Sequence, residues 1–164
     1  MNEKDIEKIV SAVISTVWAD SIRITLDAAK RISERVEKKA AEVGVKAVVA
    51  IVNEGARPVL VHCTDDSFIA SYDIALNKAY TSVSLKMSTK ELKKLSQPGE
   101  SLYGIQFTNE NRIVIFGGGE PIKVNGKVVG GIGVSGGTEE LDTFLGEYAA
   151  KVAEEELLCR TSIQ

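Results

Sequence analysis

Three kinds of side chain in this sequence could do chemistry: a histidine, two cysteines and a lysine set among apolar residues. His62 is the only imidazole in the chain. A neutral imidazole can ligate a metal or a haem iron, or act as a general base. It alternates with Val61 and Cys63 on a β-rich run and is expected to face away from Val59 and Val61. No second histidine and no acid at a recognisable spacing accompanies it, so an exposed or hydrogen-bonded strand histidine is the plainer reading. Cys63 and Cys159 form no CxxC pattern and have no histidine at metal-ligand spacing. Two reduced thiols are therefore expected rather than a disulfide or zinc site, with Cys63 in the core. Lys78 lies beside the apolar stripe of a helix. It could pair with a ligand carboxylate, although snorkelling to solvent is the preferred expectation.

Two glycine patterns resemble phosphate-binding motifs and fail on context. Gly131-Ile132-Gly133-Val134-Ser135-Gly136 has the spacing of the dinucleotide fingerprint. It lies mostly inside the strand that should precede it, and the following helix opens Thr138-Glu139-Glu140, with negative charge where phosphate would bind. Gly117-Gly118-Gly119-Glu120-Pro121 lacks the lysine and hydroxyl of a P-loop. It reads as a tight turn, or as a place where backbone approaches a flat ligand closely.

These residues must be positioned by one domain. The chain has 164 residues, 44% of them apolar and 26% charged, with a formal net charge of −3. That is a globular composition, and the absence of a basic stripe with interleaved aromatics argues against nucleic acid. The start, MNEKDIEKIV, carries both charge signs and no long apolar run, so neither a secretory signal nor a membrane span is expected and the location should be cytoplasmic. Residues 4–18 put Ile6, Ile9, Val10, Val13, Ile14, Val17 and Trp18 at offsets of three and four, a narrow apolar stripe on a polar helix. A second helix should start at Thr25 and stop at Gly44, followed by strands over 45–52 and 58–64. A long helix from Phe68 to Met87 should bury Ile69, Tyr72, Leu76, Ala79, Tyr80, Val83 and Met87. Ser88 and Glu91 form a capping box for a short helix. Three strands are then expected, over 112–116, 121–124 and 127–134, the last two joined by a type I′ turn at Asn125-Gly126. A helix over 139–158 closes the chain. The predicted fold class is α+β, with helices packed on a five-stranded antiparallel sheet.

The runs ITLDAAKRI, DIALNKAYTS and FGGGEPIKVNGKVVGGIGVSGGTEELD, in that order, resemble the GlcG/HbpS family, also called the haem-degrading domain family. The same domain forms the C-terminal part of PduO-type corrinoid adenosyltransferases. The likeness covers about residues 22–158, which divides the chain into a domain over 22–160 and an amphipathic extension over 1–20. It implies a profilin-like fold, homo-oligomers (dimers or higher) and, in some members, binding of haem or association with cobalamin metabolism. It does not imply adenosyl transfer, because the adenosyltransferase domain of PduO proteins has no counterpart here. Residue by residue, it carries Lys78, Thr81, Gly118, Gly119 and Pro121 over as pocket lining. The histidine of haem-binding members lies outside the shared signature, which leaves His62 as the imidazole for a metal, with Cys63, Met87 or a tyrosine as weaker candidates. Where the family commonly has an acid followed by glycine, this chain has Asp65-Asp66, and the loop must turn without that glycine.

The extension resembles the short encapsulation peptides that carry enzymes into bacterial microcompartments, so its stripe is expected to dock on a shell protein. The resulting expectation is a haem- or cobalamin-binding accessory protein packaged with a cobalamin-dependent or related diol or amine pathway. A haem-processing or redox enzyme, and an oligomeric scaffold without a small ligand, are the alternatives.

Overall fold

The computed structural model describes residues 2–159, with the side chains of residue 3 and of residues 14–21 outside the description. Helix α1 spans Glu3–Ser21, and its N-terminus is closed by a reciprocal capping box in which the Asn2 side chain accepts from Asp5 N–H and Asp5 accepts from Asn2 N–H. Ile6, Ile9, Val10 and Val13 are about half exposed along it. Ile14 and Val17, the last two residues of the expected docking stripe, lie among the side chains outside the description. Among the described residues, the hydrophobic core contains nothing from α1 and begins with Ile22 and Ile24.

Helix α2, Leu26–Glu42, starts where Thr25 Oγ1 accepts from Ala28 N–H. It ends in a Schellman motif, with Gly44 at φ +73° and Val45 N–H donating to Ala40 O. Strands β1 (Val48–Asn53) and β2 (Pro58–Cys63) form the first hairpin. Asp66 takes φ +61° in the loop that follows, so an aspartate adopts the left-handed turn expected of the missing glycine. Helices α3 (Ile69–Leu85) and α4 (Thr89–Leu95) come next, α4 opened by the Ser88–Glu91 capping box. Strands β3 (Gly119–Val124) and β4 (Lys127–Ser135) meet at Asn125-Gly126, both at positive φ, and helix α5 spans Glu139–Cys159.

The sheet is antiparallel throughout, in the order β2-β1-β4-β3. Three layers result. On one face α2 and α5 bury Ile32, Val36, Leu145 and Val152 against Val49, Ile51, Ile132 and Val134. On the other, α3 sets Ala75, Ala79 and Val83 against Val48, Ala50 and Val52.

Two expectations are corrected here. Among the described residues the sheet has four strands, not five, because residues 112–116 run outside it. Side chains take the place of a ladder: Val114 N–H donates to Thr81 Oγ1, Thr81 Oγ1 bonds Arg112 O, and Gly117 N–H donates to Glu139. The apolar, β-branched pattern there reflects the burial of Ile113 rather than strand pairing. The second correction concerns the face of α3. It buries Ser71, Ala75, Lys78, Ala79 and Ser82, whereas Ile69 and Tyr72 stand exposed. A Cβ on Gly133 would fall 2.0 Å from Ala75 O, so the helix lies almost on the strand and only small residues fit between them.

Candidate functional site

The glycine turn and the signature residues meet at one buried junction. Lys78 reaches from α3 past the end of the sheet, and its Nζ donates to Asp142 Oδ2 of α5 at 2.7 Å and to Val134 O at 2.8 Å. The Phe116 ring lies 4.9 Å from the same nitrogen. Asp142 Oδ1 accepts from Gly136 and Gly137 N–H, so the carboxylate is bonded on both oxygens. Lys78 is fully buried, which overturns the snorkelling expectation. Burial pushes its ammonium pKa below the ordinary lysine value, and the charge and hydrogen bond of Asp142 oppose that shift.

The glycines are required by this packing. Gly118 has φ +109°, and a Cβ there would sit 2.7 Å from Val134 O and 2.8 Å from Lys78 Nζ. Gly119 donates its N–H to Thr89 Oγ1, and a Cβ on it would meet Lys78 O at 2.6 Å. Thr81, also buried, fastens the 112–114 segment. Lys78, Thr81, Gly118 and Gly119 are thus brought together as a packed junction. Pro121 is buried two residues along β3, where it borders a separate cleft with Glu120.

His62 is not part of that junction. It pairs across from Val49 on the outer strand β2 and faces α2, so β1 and β4 separate it from the glycine turn. Its Nδ1 lies 2.7 Å from Glu37 Oε1, and Ser33 Oγ donates to the same oxygen at 2.6 Å. The imidazole side chain is 40% exposed, and Nε2 has no partner among the described residues. Cys63 is exposed rather than in the core because it ends an outer strand, and both cysteines are free thiols. Among the described residues no group of three His, Cys, Asp or Glu is placed to hold a bare metal ion. No described helix is long and apolar enough to cross a membrane.

Comparison with known proteins identifies the family to which this fold belongs. The family model described as haem degrading protein HbpS-like matches residues 24–151. The chain belongs to the HbpS-like family. It is 52% identical over 126 residues to a 15.0 kDa protein of the dhaT-dhaS intergenic region of Citrobacter freundii, covering 77% of this chain and 89% of that one. It is 35% identical over 111 residues to the corrinoid adenosyltransferase PduO of the same organism, covering 68% of this chain but spanning only 33% of PduO. Among solved structures, the PduOC:heme complex superimposes with a TM-score of 0.76 at 29% identity, covering 80% of this chain and 95% of that one.

Two ionisable groups of this HbpS-like domain are not marked out by the sequence. Asp142 is one of several acids in the first turn of the last helix, and nothing in the sequence joins it to a lysine 64 positions away. Glu120 sits in a cleft of about 400 Å³ with Ser88, Glu91, Lys123 and Glu147. Burial, and then the charges of Glu147 and Glu91, push its pKa up to about 7 against the pull of Lys90 and Lys123. The available signal was an acid wedged between three glycines and a strand proline.

Two outcomes follow from this geometry. Lys78→Met leaves a buried carboxylate without its cation and should lower the unfolding free energy by about 3 kcal/mol, of which adding Asp142→Asn restores part. Urea unfolding of both variants checks it, and a single-variant loss below about 1 kcal/mol would show that the pair does not hold the junction. For Glu120 the folded pKa lies above the unfolded one. Its favourable contribution is complete below about pH 4.5 and is lost as pH rises through about 7. Glu120→Gln should therefore gain on the parent protein by on the order of 1–2 kcal/mol between pH 5 and 8, after allowance for partial exposure. Melting temperatures across that range would show the two curves diverging; parallel curves would remove the burial effect.

Proposed function

We propose that this chain is a tetrapyrrole-binding accessory protein, taking haem or a corrinoid, whose metal His62 would hold. The observation that carries this reading is the imidazole with Nδ1 on Glu37 and Nε2 unengaged. A ligating histidine commonly gives its other ring nitrogen to a carboxylate, which fixes the tautomer and aims the ligating nitrogen outward. The donor set fits a tetrapyrrole better than a bare ion, since one protein nitrogen suffices when the macrocycle brings its own donors. When bound, the group would supply a metal centre able to accept a protein nitrogen. The chain's own part is to hold the Nδ1 proton on Glu37, to brace Glu37 with Ser33, and to leave Nε2 accessible.

Family membership supports the reading, as does the similar structure described as a haem complex. The corrinoid alternative rests on likeness to PduO, of which this chain spans a third, so adenosyl transfer is not carried over. We read the three layers as profilin-like and the protein as a homo-oligomer. The exposed stripe of α1, with Ile6, Ile9, Val10 and Val13 on one side, supports docking as a helix in the groove of a microcompartment shell protein.

Absorbance titration with haemin, and separately with cobalamin, tests the proposal. The expected result is a saturable change at one ligand per subunit with micromolar or tighter affinity, roughly −8 kcal/mol. His62→Ala should abolish the histidine-type spectrum; an unchanged spectrum would remove His62 from the site. Deleting residues 1–18 should end co-localisation with shell proteins while the domain keeps its melting temperature. Unchanged localisation would reject the docking role of α1.

A further inference from the structure

A second cleft, on the opposite face of the sheet from His62, has the build of a small-molecule site. It has a volume of about 250 Å³ and lies where the start of α3 meets the end of β4. Phe68 and Phe116, 71% and 37% exposed, border it together with Ile74. Aromatic rings this open to water at the mouth of a cleft are suited to stacking on a flat partner. The cleft falls below the range of about 300–1,000 Å³ for drug-sized ligands, so it suits a single ring and cannot enclose a tetrapyrrole.

The polar lining narrows the chemistry further. Ser71 and Ser135 line the cleft, are 3% and 4% exposed, and bond each other, Ser135 Oγ donating to Ser71 Oγ at 3.2 Å. Two hydroxyls that share one hydrogen bond use only one of their two protons in it, so the pair keeps one proton to donate. A buried donor of this kind is a standing cost unless something accepts from it. The charged groups at the rim are already engaged: Asp142 with Lys78 and two glycine N–H groups, Glu139 with Lys93 and Gly117 N–H. The backbone N–H groups of Gly136 and Gly137 are occupied by the same Asp142. The lining therefore offers a hydroxyl donor between aromatic walls, with two carboxylates close by that disfavour an anion.

We propose that this cleft binds a neutral, planar aromatic or heteroaromatic ring carrying a hydrogen-bond acceptor, such as a carboxamide oxygen, with Ser71 donating to it and Phe68 and Phe116 holding the ring. The site is independent of the tetrapyrrole reading because His62 and Glu37 lie across the sheet from it.

The test is ligand-observed NMR and two-dimensional amide spectra of the full chain with nicotinamide and benzamide as probes, and benzoate as the anionic control. Saturable binding is expected, with shifts at Phe68, Ser71, Phe116 and Ser135 and at least tenfold weaker binding of benzoate. Ser71→Ala should weaken the amides about tenfold, and Phe68→Ala, on an exposed residue that the fold does not need, should weaken them severalfold with an otherwise unchanged amide spectrum. Absence of saturable binding, benzoate binding as well as benzamide, or undiminished affinity in both variants would each overturn the proposal. His62→Ala should leave the amide probes bound as before. Loss of haem binding with retention of nicotinamide, or the reverse, then separates the failure of one site from the failure of the other.

Discussion

The structure turns on the ion pair between Lys78 and Asp142, which joins α3 on one face of the sheet to α5 on the other through the end of β4. A charge pair with no access to water is a poor source of net stability, since desolvation consumes most of the attraction. Its value is geometric. Lys78 has its hydrogen-bond partners at this one point, Val134 O and Asp142, with Phe116 against it, and Asp142 in turn holds the N–H groups of Gly136 and Gly137 in the turn between β4 and α5. Any slip of one helix against the sheet would strand a buried charge. The glycines at 118 and 119 belong to the same constraint, because a side chain at either would occupy the space of Lys78.

The close approach of α3 follows a related rule and decides what the surface offers. Gly131 and Gly133 let the helix backbone lie against β4, and the facing positions are Ala75, Ala79 and Ser82. With the small residues inward, Ile69 and Tyr72 turn to solvent and Phe68 stands at the mouth of a cleft. On the other face the larger residues of α2 and α5 fill the gap, and His62 sits at the margin of that layer with Glu37 and Ser33 beneath it. The two faces therefore present different chemistry, an oriented imidazole on one and an aromatic notch on the other.

Much of the local structure was legible in the residues. The caps at Thr25 and Ser88, the stop at Gly44 and the turn at Asn125-Gly126 each depend on atoms a few residues apart, and each stands where the local chemistry puts it. The signature residues were also legible as a group, through their likeness to a family, and four of them do meet in space. Their role was not, since a lysine beside an apolar stripe reads the same whether its nitrogen reaches water or a carboxylate. The 112–116 segment shows the same limit: β-branched apolar residues are needed for burial there, but whether their backbone joins a ladder depended on Thr81 and Glu139, distant in the chain.

By itself, the sequence determined the helices, the two hairpins and the α+β class, because propensity, capping and periodicity act between neighbours, and its signature runs determined the family. Tertiary structure alone decided the strand count, the buried face of α3, the pairing of Lys78 with Asp142, the Glu37 anchor of His62 and the raised pKa of Glu120. Each of these is set by how closely two remote segments approach and how much water is left between them, quantities that no local pattern encodes.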